Sequence, residues 1–189
     1  MALKTKVKAS NITNLSDARY CAGMGVDWLS FPAHLVNPVT FKEITDWITG
    51  PQFILEVNDE KVLAMAEQYP VPTLEIPYHT LNSIAPLTSK SFLITLPLSK
   101  WPAHKDALLA FNDRIDYVVV DLDIPDWTEL NDIATHFKIL VNTSDRHSMV
   151  ELLLLPIDGI NVSGEDELKP GLKDFDRLSA VLEELEVVD

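Results

Sequence analysis

The stretch Val7-Lys8-Ala9-Ser10-Asn11-Ile12-Thr13-Asn14-Leu15-Ser16-Asp17-Ala18-Arg19 reads as a short strand, a polar turn and the start of a helix running on through Tyr20-Cys21-Ala22-Gly23-Met24. Asn14 or Ser16 is placed to cap that helix, because a short side-chain oxygen accepts a free N–H of the first turn. Asp17 then stands where the helix dipole favours a negative charge. The rest of the chain repeats the same strand-and-helix unit with different residues.

Working outward, strand-like runs recur at 7–12, 27–31, 52–58, 73–77, 91–98, 116–122, 138–142 and 159–162. Most are apolar and rich in β-branched residues, as strands covered on both faces should be. Tyr117-Val118-Val119-Val120 is the clearest. Amphipathic segments lie between them. Asn37-Pro38 opens the second helix, with proline where a helix tolerates it. Asn58-Asp59 opens the third, Trp101-Pro102 the fifth, Asp126 the sixth and Ser144-Asp145 the seventh. Residues 175–187 form the last, with Leu178, Val181, Leu182 and Leu185 at helical spacing. The fourth segment, 81–87, is the weakest and amounts to a turn or two.

Strands that alternate with helices over short connections run parallel, since each crossover returns the chain to the same edge. Eight such units most often close into a (β/α)8 TIM barrel, which is the α/β architecture expected here. An open doubly wound sheet is the alternative. A chain of 189 residues is shorter than the ~250 typical of that barrel, so the loops must be short. Residues 1–189 are read as one barrel domain, with no linker or low-complexity tract.

Fifteen basic residues against twenty-nine acidic ones give a net charge of −14. Such a surface repels a phosphate backbone and argues against nucleic acid and anionic membranes as partners. It is also awkward for a phosphorylated ligand unless a pocket reverses it locally. No apolar run approaches the ~18–20 residues that span a bilayer. No apolar segment follows the early lysines, so no secretory signal is read. A single cysteine excludes an internal disulfide framework and makes the cytoplasm the expected compartment.

In a barrel of this kind the active site forms at the carboxyl ends of the strands. The candidates are Ser10 and Asn11, residues 31–34, Glu56 and Asn58, residues 75–79 and 96–99, Asp121 and Asp123, Asn142 and Thr143, and residues 163–167.

Here the opening stretch resembles the phosphoribosylanthranilate isomerases of tryptophan biosynthesis, whose first strand and turn typically read Val-Lys-Ile-Cys-Gly-Ile-Thr-Asn. This chain has Val7-Lys8-Ala9-Ser10-Asn11-Ile12-Thr13-Asn14, then Asp17-Ala18-Arg19 and Gly25-Val26-Asp27. Val57-Asn58 is similar to the family's Phe-Val-Asn, and Val162-Ser163 with Pro170-Gly171-Leu172-Lys173-Asp174 is similar to its closing segment. The resemblance covers nearly the whole chain. It implies a (β/α)8 barrel that converts an aminoaldose phosphate into an aminoketose phosphate without metal or cofactor. In that reaction a cysteine at the end of strand one is the general base and an aspartate at the end of strand six the general acid. Carried over, the roles fall on Ser10 and Asp121. Asn11, Asn58, Glu75, Asn142, Thr143, Ser163 and Gly164 fall at the substrate.

Several positions depart from that pattern. Ser10 replaces the cysteine, and an alcohol needs an adjacent base where a thiol needs only a modest pKa shift. Asp121 is kept, on the same strand face as Val119 and Tyr117. The phosphate-binding glycines become Asn142-Thr143, and after Gly164 come Glu165, Asp166 and Glu167, charges that oppose a dianion. The glycine-rich loop after strand six gives way to Asp123-Ile124-Pro125-Asp126, and Ala33-His34-Leu35-Val36 carries no arginine. Glu75-Ile76-Pro77 replaces a Gln-Leu-His pattern, and Glu56 takes a lumen position usually apolar. Lys8, Glu56, Glu75 and Asp121 then share the barrel interior, and Lys8 is expected to pair with Glu56 or Asp121, since buried charge must be compensated.

Other chemistry is thinner. His34 and His79 lie in loops on the site face with Asp121 and Asp123, a donor set compatible with a metal, but no close ligand spacing supports one. Cys21 reads as a small buried hydrophobe. Two functional readings therefore stand: a divergent isomerase with weak or no turnover, and a barrel of the same descent that only binds a small molecule, serves as a regulatory protein or acts on an unphosphorylated substrate. A monomer or homodimer is expected.

Overall fold

A computed structural model describes residues 2–124, 127–143, 147–163 and 176–187. Eight strands run in chain order: β1 Lys6–Ser10, β2 Trp28–Pro32, β3 Gln52–Glu56, β4 Thr73–Pro77, β5 Ser91–Pro97, β6 Ile115–Asp121, β7 Ile139–Asn142 and β8 Gly159–Ser163. Each pairs in parallel with the next, and β8 pairs with β1, so the sheet is a closed barrel. The open sheet is excluded. The helices are α1 Leu15–Gly23, α2 Pro38–Thr45, α3 Glu60–Leu63, α4 Trp101–Leu109, α5 Thr128–Ala134, α6 Met149–Leu153 and α7 Asp176–Glu184. No helix among the described residues is long and apolar enough to cross a membrane.

The helix starts follow from side-chain caps. Asn14 accepts from the Asp17 N–H at 3.0 Å, and Asn37 accepts from Val39 and Thr40 at 3.0 Å each. Three expected starts differ. Between β4 and β5 the chain makes only a 3-10 segment, Tyr78–Ile84, three residues earlier than 81–87. The helix α5 begins after Trp127, which supplies no side-chain cap. The helix α6 opens at Ser148 through a reciprocal capping box with Glu151. Asp126, Ser144, Asp145 and Phe175 lie outside the described residues.

Alternation along the strands divides the apolar residues into two cores. Outward-facing residues such as Val7, Leu29, Leu55, Leu74, Val118, Val141 and Ile160 pack with the helices. Trp28, Ile54, Leu93, Tyr117, Val119 and Leu140 form a separate cluster that fills the lumen. Below it, Lys6 Nζ donates to the Tyr117 hydroxyl at 3.0 Å, and the Trp28 and Tyr117 rings meet edge to face at 5.1 Å. The lumen is thus plugged at its amino-terminal end, and its polar residues gather at the other.

The seam between β8 and β1 has one strict requirement. Gly159 stands opposite Lys6, and a Cβ there would lie 2.8 Å from Lys6 Cβ and closer still to the Lys6 carbonyl. Only glycine lets the strands approach this closely.

Candidate active site

The upper lumen follows from continuing the same alternation. On β1 the inward face carries Lys6, Lys8 and Ser10; on β3 it carries Ile54 and Glu56; on β6 it carries Tyr117, Val119 and Asp121. Ser30, Glu75, Thr95, Asn142 and Asn161 complete the layer. Lys8, Ser30, Glu75, Thr95, Asp121, Asn142 and Asn161 form one hydrogen-bonded system.

At its centre is Lys8, fully buried on β1. Its ammonium forms an ion pair with Glu75 Oε2 at 2.6 Å and donates to Asn161 Oδ1 at 3.0 Å. The expected lumen position of Lys8 is correct, but its partner is Glu75, not Glu56 or Asp121. Stagger between staves decides this, because it sets the height at which each carboxylate meets the ammonium. Glu75 also accepts from the Thr95 hydroxyl at 3.0 Å and the Ser30 hydroxyl at 3.3 Å. With an ammonium and two hydroxyls around it, Glu75 is tied down on several sides.

From Lys8 the chain of donors continues around the wall. Asn161 Nδ2 donates to Asn142 Oδ1 at 2.6 Å, and Asn142 Nδ2 donates to Asp121 Oδ1. Every bond points the same way, from the cation on β1 to the carboxylate ending β6. Aligned bonds of this kind polarise and strengthen one another. Asp121 is therefore a half-buried carboxylate at the mouth, held by an amide and linked through two asparagines to a buried charge.

Glu56 is held differently. Its Oε1 accepts the backbone N–H of Asn11 at 3.1 Å. Burial pushes its carboxyl above the ordinary carboxylate range; the neighbouring Lys8 charge and the bonds from Asn11 and Ser30 oppose that push, while Glu75 adds to it. Asn11 has φ 59° and is the only non-glycine residue with positive φ among those described. Asparagine tolerates this left-handed conformation better than other side chains do. It stands where the resembling pattern has glycine.

The remaining expected site residues fall into two groups. Ser10 is buried at the end of β1, and its hydroxyl donates to the Val162 carbonyl at 3.4 Å. Thr143 spends both its N–H (2.9 Å) and its hydroxyl (3.2 Å) on the Asn161 carbonyl. Asn58 and Ser163 are exposed at the rim. Gly164 and the acidic run 165–167 lie outside the described residues. His34 and His79 are exposed, and the described residues contain no group of three His, Cys, Asp or Glu side chains that could hold a metal ion.

Three contributors escape the sequence reading: Asn161, Ser30 and Thr95. Their only signal is a polar residue at an inward position of an otherwise apolar strand, as in Gly159-Ile160-Asn161-Val162.

Neither a family model nor a curated protein matches the chain. Solved structures do. A phosphoribosylanthranilate isomerase in complex with reduced 1-(o-carboxyphenylamino)-1-deoxyribulose 5-phosphate superposes with a TM-score of 0.71 at 17% identity, over 95% of this chain and 97% of that one. The Thermus thermophilus phosphoribosylanthranilate isomerase gives 0.70 at 17% identity, over 95% and 98%. The Pyrococcus furiosus enzyme gives 0.67 at 14% identity, over 95% and 97%. Similarity this low in sequence and this complete in coverage is a likeness of fold: the chain is a (β/α)8 barrel similar in structure, end to end, to the phosphoribosylanthranilate isomerases.

Proposed function

We propose that this barrel takes a small polar molecule at its carboxyl-end mouth and is a phosphoribosylanthranilate isomerase-like protein with weak turnover. Asp121 is the general acid, protonating the ring oxygen as the sugar opens. The observation that carries the reading is the contrast between two strand ends. Asp121 presents a carboxyl oriented by Asn142, whereas the Ser10 hydroxyl donates to a backbone carbonyl rather than to an activating base.

A general acid or base is each worth about 10²–10⁴ in rate, so the missing thiol at position 10 accounts for a large deficit. Phosphate affinity is reduced as well. The Thr143 N–H, at the loop where the resemblance expects a phosphate donor, is already bonded to Asn161. Asn11, Glu75, Asn142 and Thr143 shape the pocket, and Asn58 and Ser163 border it.

A fluorescence assay on freshly prepared phosphoribosylanthranilate tests this. Slow turnover that Asp121→Asn abolishes is the expected result. Turnover indifferent to Asp121→Asn would overturn the assignment of the acid, and none at all would leave a barrel that binds without catalysing.

A further inference from the structure

We propose that Glu56 is the general base of this site, taking the proton role that position 10 has given up; the assignment rests on the isomerase reading above. Three observations converge on it. First, the Glu56 carboxylate sits one peptide away from Ser10, because it accepts the Asn11 N–H at 3.1 Å. A group there reaches the same part of the mouth as a side chain ending β1. Second, Glu75 is the carboxylate neutralised by the buried cation, whereas Glu56 accepts from the neutral Asn11 N–H and Ser30 hydroxyl. Glu75 holds Lys8, Ser30 and Thr95, and Asp121 holds Asn142. Among the described residues Glu56 has no ion-pair partner of its own, since the Lys8 ammonium lies against Glu75. Third, Glu56 is half-buried at the rim of the lumen, so it meets both the protein interior and an incoming ligand.

The charged groups facing Glu56 are Lys8 from β1 and Glu75 from β4; the Ser30 hydroxyl of β2 and the Asn11 N–H complete its surroundings. Burial raises its proton affinity, in the direction that brings a carboxylate closer to neutral pH. Glutamate serves as base where cysteine would otherwise be used, without needing a thiolate.

Asp121 gives a proton to the ring oxygen as the C1–O bond breaks, leaving an iminium at C1. Glu56 removes the C2 proton. The C–H electron pair becomes the C1=C2 bond, and the C1=N pair returns to nitrogen, neutralising the iminium. Glu56 then delivers its proton to C1 while the enol O–H proton leaves to water, giving the ketone, and water reprotonates Asp121.

The test is Glu56→Gln in the full chain, assayed on phosphoribosylanthranilate across pH. The amide keeps the oxygen that accepts the Asn11 N–H, so a purely structural role predicts an unchanged rate. The base role predicts a fall in kcat of about 10²-fold or more and loss of the rising limb of the pH profile. It also predicts recovery of turnover when Ser10→Cys is added to Glu56→Gln. Wild-type kinetics in Glu56→Gln, or a loss that Ser10→Cys does not repair, overturns the proposal. Turnover seen only after Ser10→Cys in the otherwise unaltered chain overturns it too, while leaving the isomerase reading intact. No turnover in any variant overturns that reading and this assignment together.

Discussion

Two residues at the mouth set measurable constraints. The carboxyl of Glu56 binds its proton more tightly in the folded chain than in the unfolded one. Its protonated form therefore contributes stability that is complete below the unfolded value of about 4.3 and is lost as pH rises through the higher folded value. Urea unfolding should show the wild type losing stability relative to Glu56→Gln over that rise, with the two converging at low pH. Equal slopes would mean that Glu56 titrates normally. Asn11, at φ 59°, should accept glycine with little change, whereas Asn11→Val should cost about 1–2 kcal/mol for the left-handed backbone; denaturant midpoints of the two variants decide it. Asp121 is legible in the sequence because two apolar residues, Tyr117 and Val119, fix the phase of β6 over the preceding turns of the pleat. Glu56 is legible as a lumen residue by the same alternation. Its contact with Asn11 is not, because nothing in Gln52-Phe53-Ile54-Leu55-Glu56 states the height at which that strand stands beside β1.

Elements carry the next set of consequences. The strands are readable from the chain to within a residue or two at most ends, since a stave covered by helix outside and lumen inside must be apolar throughout; β4, Thr73–Pro77, falls as read. Helices are less readable where they are short. The four-residue α3 and the 3-10 segment Tyr78–Ile84 leave too few turns for a period to show. Where a cap exists it dominates. Removing the α6 capping box with Ser148→Ala should cost about 1 kcal/mol, visible as faster amide exchange in residues 149–153 before any global loss. At the seam, Gly159→Ala forces a methyl group against the Lys6 backbone. A destabilisation of about 1–3 kcal/mol is expected, and a wild-type melting temperature would show that β8 can shift away from β1.

For the whole molecule, the polar belt joins seven of the eight staves: β2, β5 and β4 through Ser30, Thr95 and Glu75, and β1, β8, β7 and β6 through Lys8, Asn161, Asn142 and Asp121. Breaking it at the cation should be costly. Lys8→Met leaves Glu75 buried beside an apolar side chain, a loss of about 3–5 kcal/mol. The double variant Lys8→Met with Glu75→Leu should recover much of it, and a double variant no more stable than the single one would show that the belt as a whole, not the ion pair, holds the upper lumen. The fold is legible because a closed ring of parallel staves follows from counting. The belt is not, because it depends on lateral stagger, which no local pattern contains. The Lys8–Asn161 bond also spans 153 residues of chain, and this bears on the order in which the barrel assembles. During synthesis β1 leaves the ribosome with a buried-type lysine and one open edge, and both wait until β8 has emerged. Until then the chain can only be a curved, incomplete sheet with two unpaired edges, the arrangement most prone to associate with its neighbours. Closing so long a loop carries a large entropic penalty that native contacts repay only at the end. Ring closure at this seam is thus the step at which folding and aggregation compete, and the side chain that later helps organise the mouth first serves as the latch of the finished barrel.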